Sequence, residues 1–235
     1  MIYRILPSDE FSDLASRILY EDNHLLVVNK KVGEIVQGDK TSDEPITETY
    51  KAFIAQRAAK PGQVFMGLPH RLDRPVSGIV VLAKTSKALE RLNAMFRDGD
   101  VTKVYWALVC NEPMHKEQLL EGLIWRNEKQ NKSYICRPGS ARKDAKSARL
   151  NYRQIKKTDR YWVVEVELLT GRHHQIRCQL SNLGCPIKGD LKYGAPRSNP
   201  VGSISLHARR IVFMHPVKKE PMTIEAPVPS SWKGV

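Results

Sequence analysis

The segment from His70 to Asp73 places one carboxylate between the arginines Arg71 and Arg74, directly before the turn-forming residues Pro75 to Gly78. Proline fixes one backbone angle and the Ser-Gly pair supplies a turn, so this pattern predicts that Asp73 is held rigidly before a strand. The neighbouring guanidiniums favour the ionised carboxylate. A fixed, ionised aspartate suits a nucleophile or a charge partner rather than a general acid.

Hydrophobic periodicity predicts the elements that must position this segment. Strands are predicted within 18–30 and at 79–84, 101–109, 161–169 and 206–216, and helices at 46–58, 87–97 and 173–183. Ser86 is predicted to cap the second helix, and Pro61 with Gly62 to end the first. The pattern favours one α/β (α+β) domain over residues 1–235, with a short extension at 1–17 and a proline-rich tail at 217–235.

The net charge points to a polyanionic partner. The chain has 38 Lys and Arg against 25 Asp and Glu, a formal charge of +13, and an isoelectric point near 9.7. Its basic residues gather between 129 and 153: Lys129, Lys132, Arg137, Arg142, Lys143, Lys146, Arg149 and Arg153. Such a run can be a solvated face or a disordered loop. Tyr134 within it favours an ordered surface that faces nucleic acid.

Cysteine spacing and hydropathy exclude several classes of protein. The four cysteines form no CxxC pair, so a disulfide framework or a zinc finger is not indicated and the cytosol is the expected compartment. No stretch approaches the ~20 apolar residues of a membrane span. His174 and Cys178 are four residues apart on a predicted helix, but zinc needs three or four protein ligands and nothing nearby completes the set. No metal site is therefore expected.

Three stretches together resemble the RluA-type pseudouridine synthases. They are His70 to Asp73 with Ser77-Gly78, Lys103 to Tyr105, and Gly171 to Arg177 with Gly189-Asp190 and Tyr193-Gly194. Residues 20–30, 206–208 and 213–216 extend the similarity over nearly the whole chain. The resemblance implies a mixed, largely antiparallel sheet flanked by helices, and isomerisation of uridine to pseudouridine in structured RNA without metal or organic cofactor.

The resemblance also implies roles for single residues. Asp73 matches the family's essential aspartate, Tyr105 the tyrosine that packs against the target base, and Arg177 the arginine that pairs with the aspartate. Arg71 belongs to the same motif as Asp73 and is predicted to meet the RNA backbone or the flipped nucleotide. Further RNA contacts are predicted at Arg172, His174, Lys143, Lys146 and Arg149.

Several alternatives stay open at this stage. Asp73 could attack C6 of the base, attack C1′ of the ribose, or assist loss of the C1′ proton. The RNA could be a stem-loop of transfer RNA or of large-subunit ribosomal RNA. Many relatives carry a small RNA-binding domain before the catalytic one, and here it is expected to be absent, with the protein acting as a monomer. A catalytically silent RNA-binding module is the alternative function. A deaminating RNA enzyme would need a His/Cys/Glu set that the sequence lacks.

Overall fold

A computed structural model of the chain describes residues 3–38, 41–59, 62–137, 139, 142–232 and 234–235. It divides into two compact units, one of residues 1–101 and 210–227 and one of residues 102–209 and 228–235. The prediction of one domain over 1–235 stays a prediction. Within the described residues, every helix is too short or too polar to cross a membrane.

The first unit contains the strands and helices that precede and follow Asp73. Its elements are α1 (Ser8–Ser16), β1 (Ile18–Glu21), β2 (Leu25–Lys30), α2 (Ile46–Ala58), β3 (Ser77–Ala83), α3 (Ser86–Asp98), the end of β9 (Leu206–Met214) from residue 210, and β10 (Pro221–Glu225). Strand β2 pairs antiparallel with both β1 and β3, and β10 pairs antiparallel with β9. Because β2 and β3 are apolar runs buried along almost their whole length, they form the centre of this unit's core.

Helix α2 has the predicted extent, and α3 is longer than predicted by one residue at each end. Helix α2 covers 46–58 as expected and buries Ile46, Tyr50 and Phe53. The predicted break at Pro61 lies outside the described residues. The prediction that Ser86 caps α3 is wrong, because Thr85 is the residue with extended backbone angles and its Oγ1 accepts a hydrogen bond from the Ala88 N–H at 3.2 Å.

The second unit is an antiparallel sheet with one helix. Its strands are β4 (Thr102–Val109), β5 (Glu117–Asn127), β6 (Lys132–Ile135), β7 (Lys146–Lys157) and β8 (Trp162–Leu168), with the first residues of β9. The order β4-β8-β7-β5-β6 is antiparallel at each step. Helix α4 (Gln175–Asn182) packs on β6 and buries Ile176, Arg177 and Leu180. The predicted class of fold, largely antiparallel strands flanked by helices, is confirmed.

The described residues of the basic stretch 129–153 include β6 and the first part of β7, which supports the ordered alternative that the sequence favoured. Elsewhere the structure differs from the sequence prediction. Helix α4 begins at Gln175 rather than at residue 173, because His174 has a left-handed backbone with φ of 52°. Helix α1 and strand β10 lie within the predicted extension and tail, where short or polar patterns gave no signal.

Candidate active site

Asp73 lies in a turn that enters β3. The Val76 N–H donates to the Asp73 carbonyl at 3.0 Å, and Leu72 and Val76 are buried on either side of the aspartate. Asp73 itself is half-buried and Arg71 is exposed. The two apolar anchors therefore fix the backbone of this turn, while Asp73 and Arg71 each keep part of their surface exposed to solvent.

The backbone on both sides of Asp73 is held by neighbouring elements. His70 Nε2 accepts a hydrogen bond from the Val81 N–H at 2.9 Å, and its ring stacks on Phe96 of α3 at 4.7 Å. The carbonyl of Arg74 accepts a hydrogen bond from the Gly33 N–H at 2.9 Å. The structure thus gives His70 a structural role, joining the Asp73 segment to β3 and α3.

Lys30 is a supporting residue that the sequence prediction missed. It ends β2, is 1% exposed, and its Nζ donates to the carbonyls of Lys31 and Glu34 at 2.8 Å and of Arg74 at 3.3 Å. Burial lowers the pKa of Lys30 to about 8, although attraction to Glu34 and Asp73 opposes the shift. A buried ammonium therefore fastens the residue next to Asp73. The signal in the sequence was a lysine ending the apolar run of β2.

Tyr105 lies in the middle of β4, opposite Val166 of β8, and is 8% exposed. Its neighbours Val104 and Ala107 are also buried. Burial lowers the pKa of nearby Lys103, because the charged form loses hydration there. The tyrosine ring is therefore fixed by a central strand, which suits a surface against which a flat base can pack.

Arg177 lies in α4 and forms a buried, bidentate ion pair with Asp190. Its Nε lies 2.7 Å from Asp190 Oδ2 and its Nη2 2.9 Å from Oδ1, and the two side chains are 6% and 1% exposed. The Arg177 guanidinium also lies 5.1 Å from the centre of the Tyr193 ring. Such a fork fixes the plane of the guanidinium as well as its position. The predicted pairing of Arg177 with Asp73 stays a prediction.

Tyr193 joins this ion pair to the strand β6. Its hydroxyl accepts from the Ser133 N–H at 2.8 Å and lies 3.0 Å from His174 Nδ1. Burial, aided by the charge of Arg177, lowers the pKa of His174 to about 2, and burial raises the pKa of Tyr193. The imidazole is therefore neutral, and its Nδ1 shares a hydrogen bond with the Tyr193 hydroxyl. That His174 contacts RNA stays a prediction; here its ring is buried.

Two of the predicted RNA contacts meet at the end of the sheet in the second unit. The Arg172 Nε donates to the Ser147 carbonyl of β7 at 2.7 Å, and the Arg149 N–H donates to Thr170 Oγ1 at 2.8 Å. The Arg149 side chain pairs with Glu121 at 2.9 Å. Lys143 and Lys146 are exposed. The structure therefore collects exposed positive charge around the start of β7.

The described residues contain no group of three or more His, Cys, Asp and Glu side chains that could hold a metal ion.

Comparison with known proteins decides the family. The model of the RNA pseudouridylate synthase family matches residues 24–182, which include Asp73, Tyr105 and Arg177. The chain belongs to this family. It therefore isomerises uridine to pseudouridine in RNA, and the enzyme rather than a silent binding module is the supported function.

Named relatives agree with the family. A protein of Vibrio vulnificus named ribosomal large subunit pseudouridine synthase C is 34% identical over 226 residues, 94% of this chain and 68% of the relative. The Escherichia coli protein of that name is 32% identical over 94% of this chain and 69% of its own length. The solved structure of human RNA pseudouridylate synthase domain containing 4 is 26% identical and superposes with a TM-score of 0.79, covering 94% of this chain and 92% of that one.

Proposed function

We propose that this pseudouridine synthase acts on large-subunit ribosomal RNA and that Asp73 is its essential carboxylate. The observation that supports the RNA target is the similarity over 94% of the chain to a large-subunit ribosomal RNA enzyme. The observation that supports Asp73 is its turn, in which the flanking side chains of Leu72 and Val76 are buried and Asp73 itself is half-buried. Transfer RNA is the other candidate target.

The chemistry explains why a fixed carboxylate is needed. Pseudouridine forms when the bond from C1′ to N1 breaks, the uracil turns, and C1′ bonds to C5. The C5 proton then leaves and N1 gains one, so the overall change is an isomerisation. The free base must stay trapped between these steps. Asp73 would attack C6 of the base or C1′ of the ribose, and both roles require it to be ionised and aimed.

Tyr105 and Arg177 complete the proposed catalytic set. Tyr105 would offer a flat face to the base and a hydroxyl for late removal of the C5 proton. Through its positive charge, Arg177 would keep the Asp73 carboxylate ionised and oriented. The Arg177–Asp190 fork supports this proposal, because it holds the guanidinium in one plane before substrate arrives. The target nucleotide must first be extruded from its stack.

The first experiment maps the modified uridine. Purified protein is incubated with large-subunit ribosomal RNA and, separately, with total transfer RNA, both from cells that lack the protein. Pseudouridines are then located by carbodiimide treatment and primer extension. A new stop in ribosomal RNA is expected. A stop in transfer RNA alone would overturn the proposed target and leave the reaction intact.

The second experiment tests the role of Asp73. Asp73→Ala is expected to abolish product formation while leaving RNA affinity within about twofold, because the carboxylate acts on the reacting atoms. Arg74→Ala is the matched control for disturbance of the turn, since it removes the adjacent charge and keeps Asp73. Residual turnover in Asp73→Ala at the level of Arg74→Ala would remove Asp73 from its proposed role.

We propose in addition that the protein is a cytoplasmic monomer. All four cysteines are free thiols in the structure, which fits a reducing compartment. Sedimentation at micromolar concentration is expected to give one species of about the 26.8 kDa chain mass.

A further inference from the structure

The hairpin of β5 and β6 carries an aromatic pair flanked by cations. Trp125 and Tyr134 are directly opposed across the two strands, and their rings stack with centres 5.1 Å apart and planes 23° apart. The Arg142 guanidinium lies 3.9 Å from the centre of the Trp125 ring, and Lys132 Nζ lies 5.3 Å from that of Tyr134. We call these four residues the aromatic stack.

Trp125 and Tyr134, the two rings of the aromatic stack, lie on the face of the sheet that does not pack against α4. Ile124 is buried with Ala148 and Cys178 on the side of that helix, whereas Leu123 is exposed on the other side. Side chains alternate along a strand, so Trp125 shares the face of Leu123. This face is not needed for the core of the second unit, and both rings remain partly exposed.

We infer that the aromatic stack is a docking site for an unpaired base of the RNA substrate. Arg142 shows that the outer face of Trp125 accepts a flat, delocalised group at stacking distance. A nucleobase is flat in the same way and stacks on indole rings regardless of its sequence. Arg142 is exposed, and a cation–π contact at an exposed site is weak, so moving the guanidinium off the Trp125 ring costs little. The freed guanidinium then pairs with a phosphate.

Charge identifies RNA, rather than a protein, as the occupant. Exposed cations flank the aromatic stack along the chain, with Lys129 between β5 and β6 and Lys143 and Lys146 after Arg142, and Asp144 is already paired with Arg142. Exposed Leu119 and Leu123 on the same face would also fit a protein partner, but such a partner would have to be acidic and would not explain stacked rings with cations at both ends. The inference rests on the proposed action on RNA and adds a contact that none of Asp73, Tyr105 or Arg177 provides.

The test measures binding of fluorescein-labelled oligoadenylate of ten nucleotides at several salt concentrations. This probe contains no uridine, so its binding is independent of the reaction and of Asp73. Trp125→Leu is expected to weaken binding about 5- to 100-fold, the loss of one stacked base, with an unchanged salt slope. Arg142→Gln is expected to reduce the slope by about 0.7, the value for one phosphate contact. Leu123→Ala, on the same face and strand, is the control and is expected to bind normally.

A second readout does not depend on how well Trp125→Leu folds. Oligoadenylate is expected to quench the tryptophan fluorescence of the wild-type protein, and Trp125→Phe, which keeps a stacking ring, is expected to bind within about threefold while losing most of this quenching. Unchanged affinity in Trp125→Leu, an equal loss in Leu123→Ala, or undiminished quenching in Trp125→Phe would each overturn the inference. If the inference were overturned but the protein still formed pseudouridine in ribosomal RNA, the proposed function would stand without the docking site.

Discussion

Individual residues in both units are held by buried charges rather than by apolar packing alone. In the first unit the ammonium of Lys30 binds three carbonyls, including that of Arg74 beside Asp73. In the second unit Asp190 holds both prongs of Arg177. Burying a charge is costly unless it is fully hydrogen-bonded. Both arrangements therefore cost stability, and both fix the position of a neighbouring functional group.

Replacing Asp190 tests the buried ion pair. Asp190→Asn is expected to lower the free energy of unfolding by about 3–5 kcal/mol, because it removes one partner of a desolvated pair. Activity should fall with it, since the plane of Arg177 is no longer fixed. Urea denaturation and initial rates measure the two effects.

The control for Asp190→Asn is Glu121→Gln, which removes one partner of the exposed pair with Arg149 and is expected to cost about 0–1 kcal/mol. Equal costs for the two variants would show that burial adds nothing to the Arg177–Asp190 pair.

The lowered pKa of Lys30 predicts that the free energy of unfolding depends on pH. Its pKa is about 8 in the folded protein and near 10.5 when unfolded. Between these values the unfolded state holds a proton that the folded state has released, so stability rises with pH by about 1.4 kcal/mol per unit at most. The rise is absent below pH 8 and complete above 10.5.

Lys30→Met is expected to abolish this contribution. The difference in unfolding free energy between wild type and variant, measured in urea at pH 7.5 and 9.5, should shift in favour of the wild type at the higher pH. A difference that is the same at both values would contradict the assignment of a shifted Lys30.

At the scale of elements, strand signals were strongest where both faces of a strand are buried. The apolar runs of β2 and β3 could be predicted from their sequences, as could the alternation of β8. The strand β5 was missed because exposed and half-buried residues alternate along it with few buried side chains, and Gly122 interrupts the pattern. Its place is decided by pairing with β6 and β7, which no local pattern reveals.

Gly189 links local backbone geometry to the ion pair of the next residue, Asp190. Its φ is +88°, and an added Cβ would lie 2.6 Å from the Asn199 side chain and 2.7 Å from the Ser203 carbonyl. Gly194 has a similar φ of +93° but open space around it. The two glycines therefore separate the cost of a left-handed backbone from the cost of a clash.

Gly194→Ala is expected to cost about 1–2 kcal/mol of stability from its backbone conformation alone. Gly189→Ala is expected to cost about 1–3 kcal/mol more, because a backbone carbonyl has to move, and to reduce activity by displacing Asp190. Thermal denaturation and initial rates measure both. Equal effects of the two substitutions would mean that the close approach at Gly189 relaxes without cost.

At the scale of the whole molecule, the charge of +13 is the feature that acts on RNA at a distance. Part of it lies at the exposed residues Lys143, Lys146 and Arg149 of the second unit. Arg149 pairs with Glu121, so it should contribute less to phosphate binding than the two lysines. The predicted RNA surface is therefore best tested by removing the three charges together.

The triple substitution of Lys143, Lys146 and Arg149 by Gln is expected to weaken RNA binding and to flatten its salt dependence, because each phosphate contact releases counterions. The control replaces Lys156, Lys157 and Arg160, three exposed cations near the other end of β7, and changes the net charge equally. Salt titrations of RNA affinity compare the two. If both triple variants lose the same affinity, net charge alone and not this surface binds the RNA.

The sequence by itself determined the chemistry and the class of fold. Motifs around Asp73, Tyr105 and Arg177 are contiguous stretches, so their resemblance to a pseudouridine synthase was visible without coordinates, and the charge indicated a nucleic acid. Only the tertiary structure decided that Asp190 holds Arg177, that Lys30 holds the Asp73 turn, that the ring of His174 is buried, and that Trp125 stacks on Tyr134. These facts depend on which residues distant in sequence become neighbours, and that is set by strand pairing and burial rather than by any local pattern.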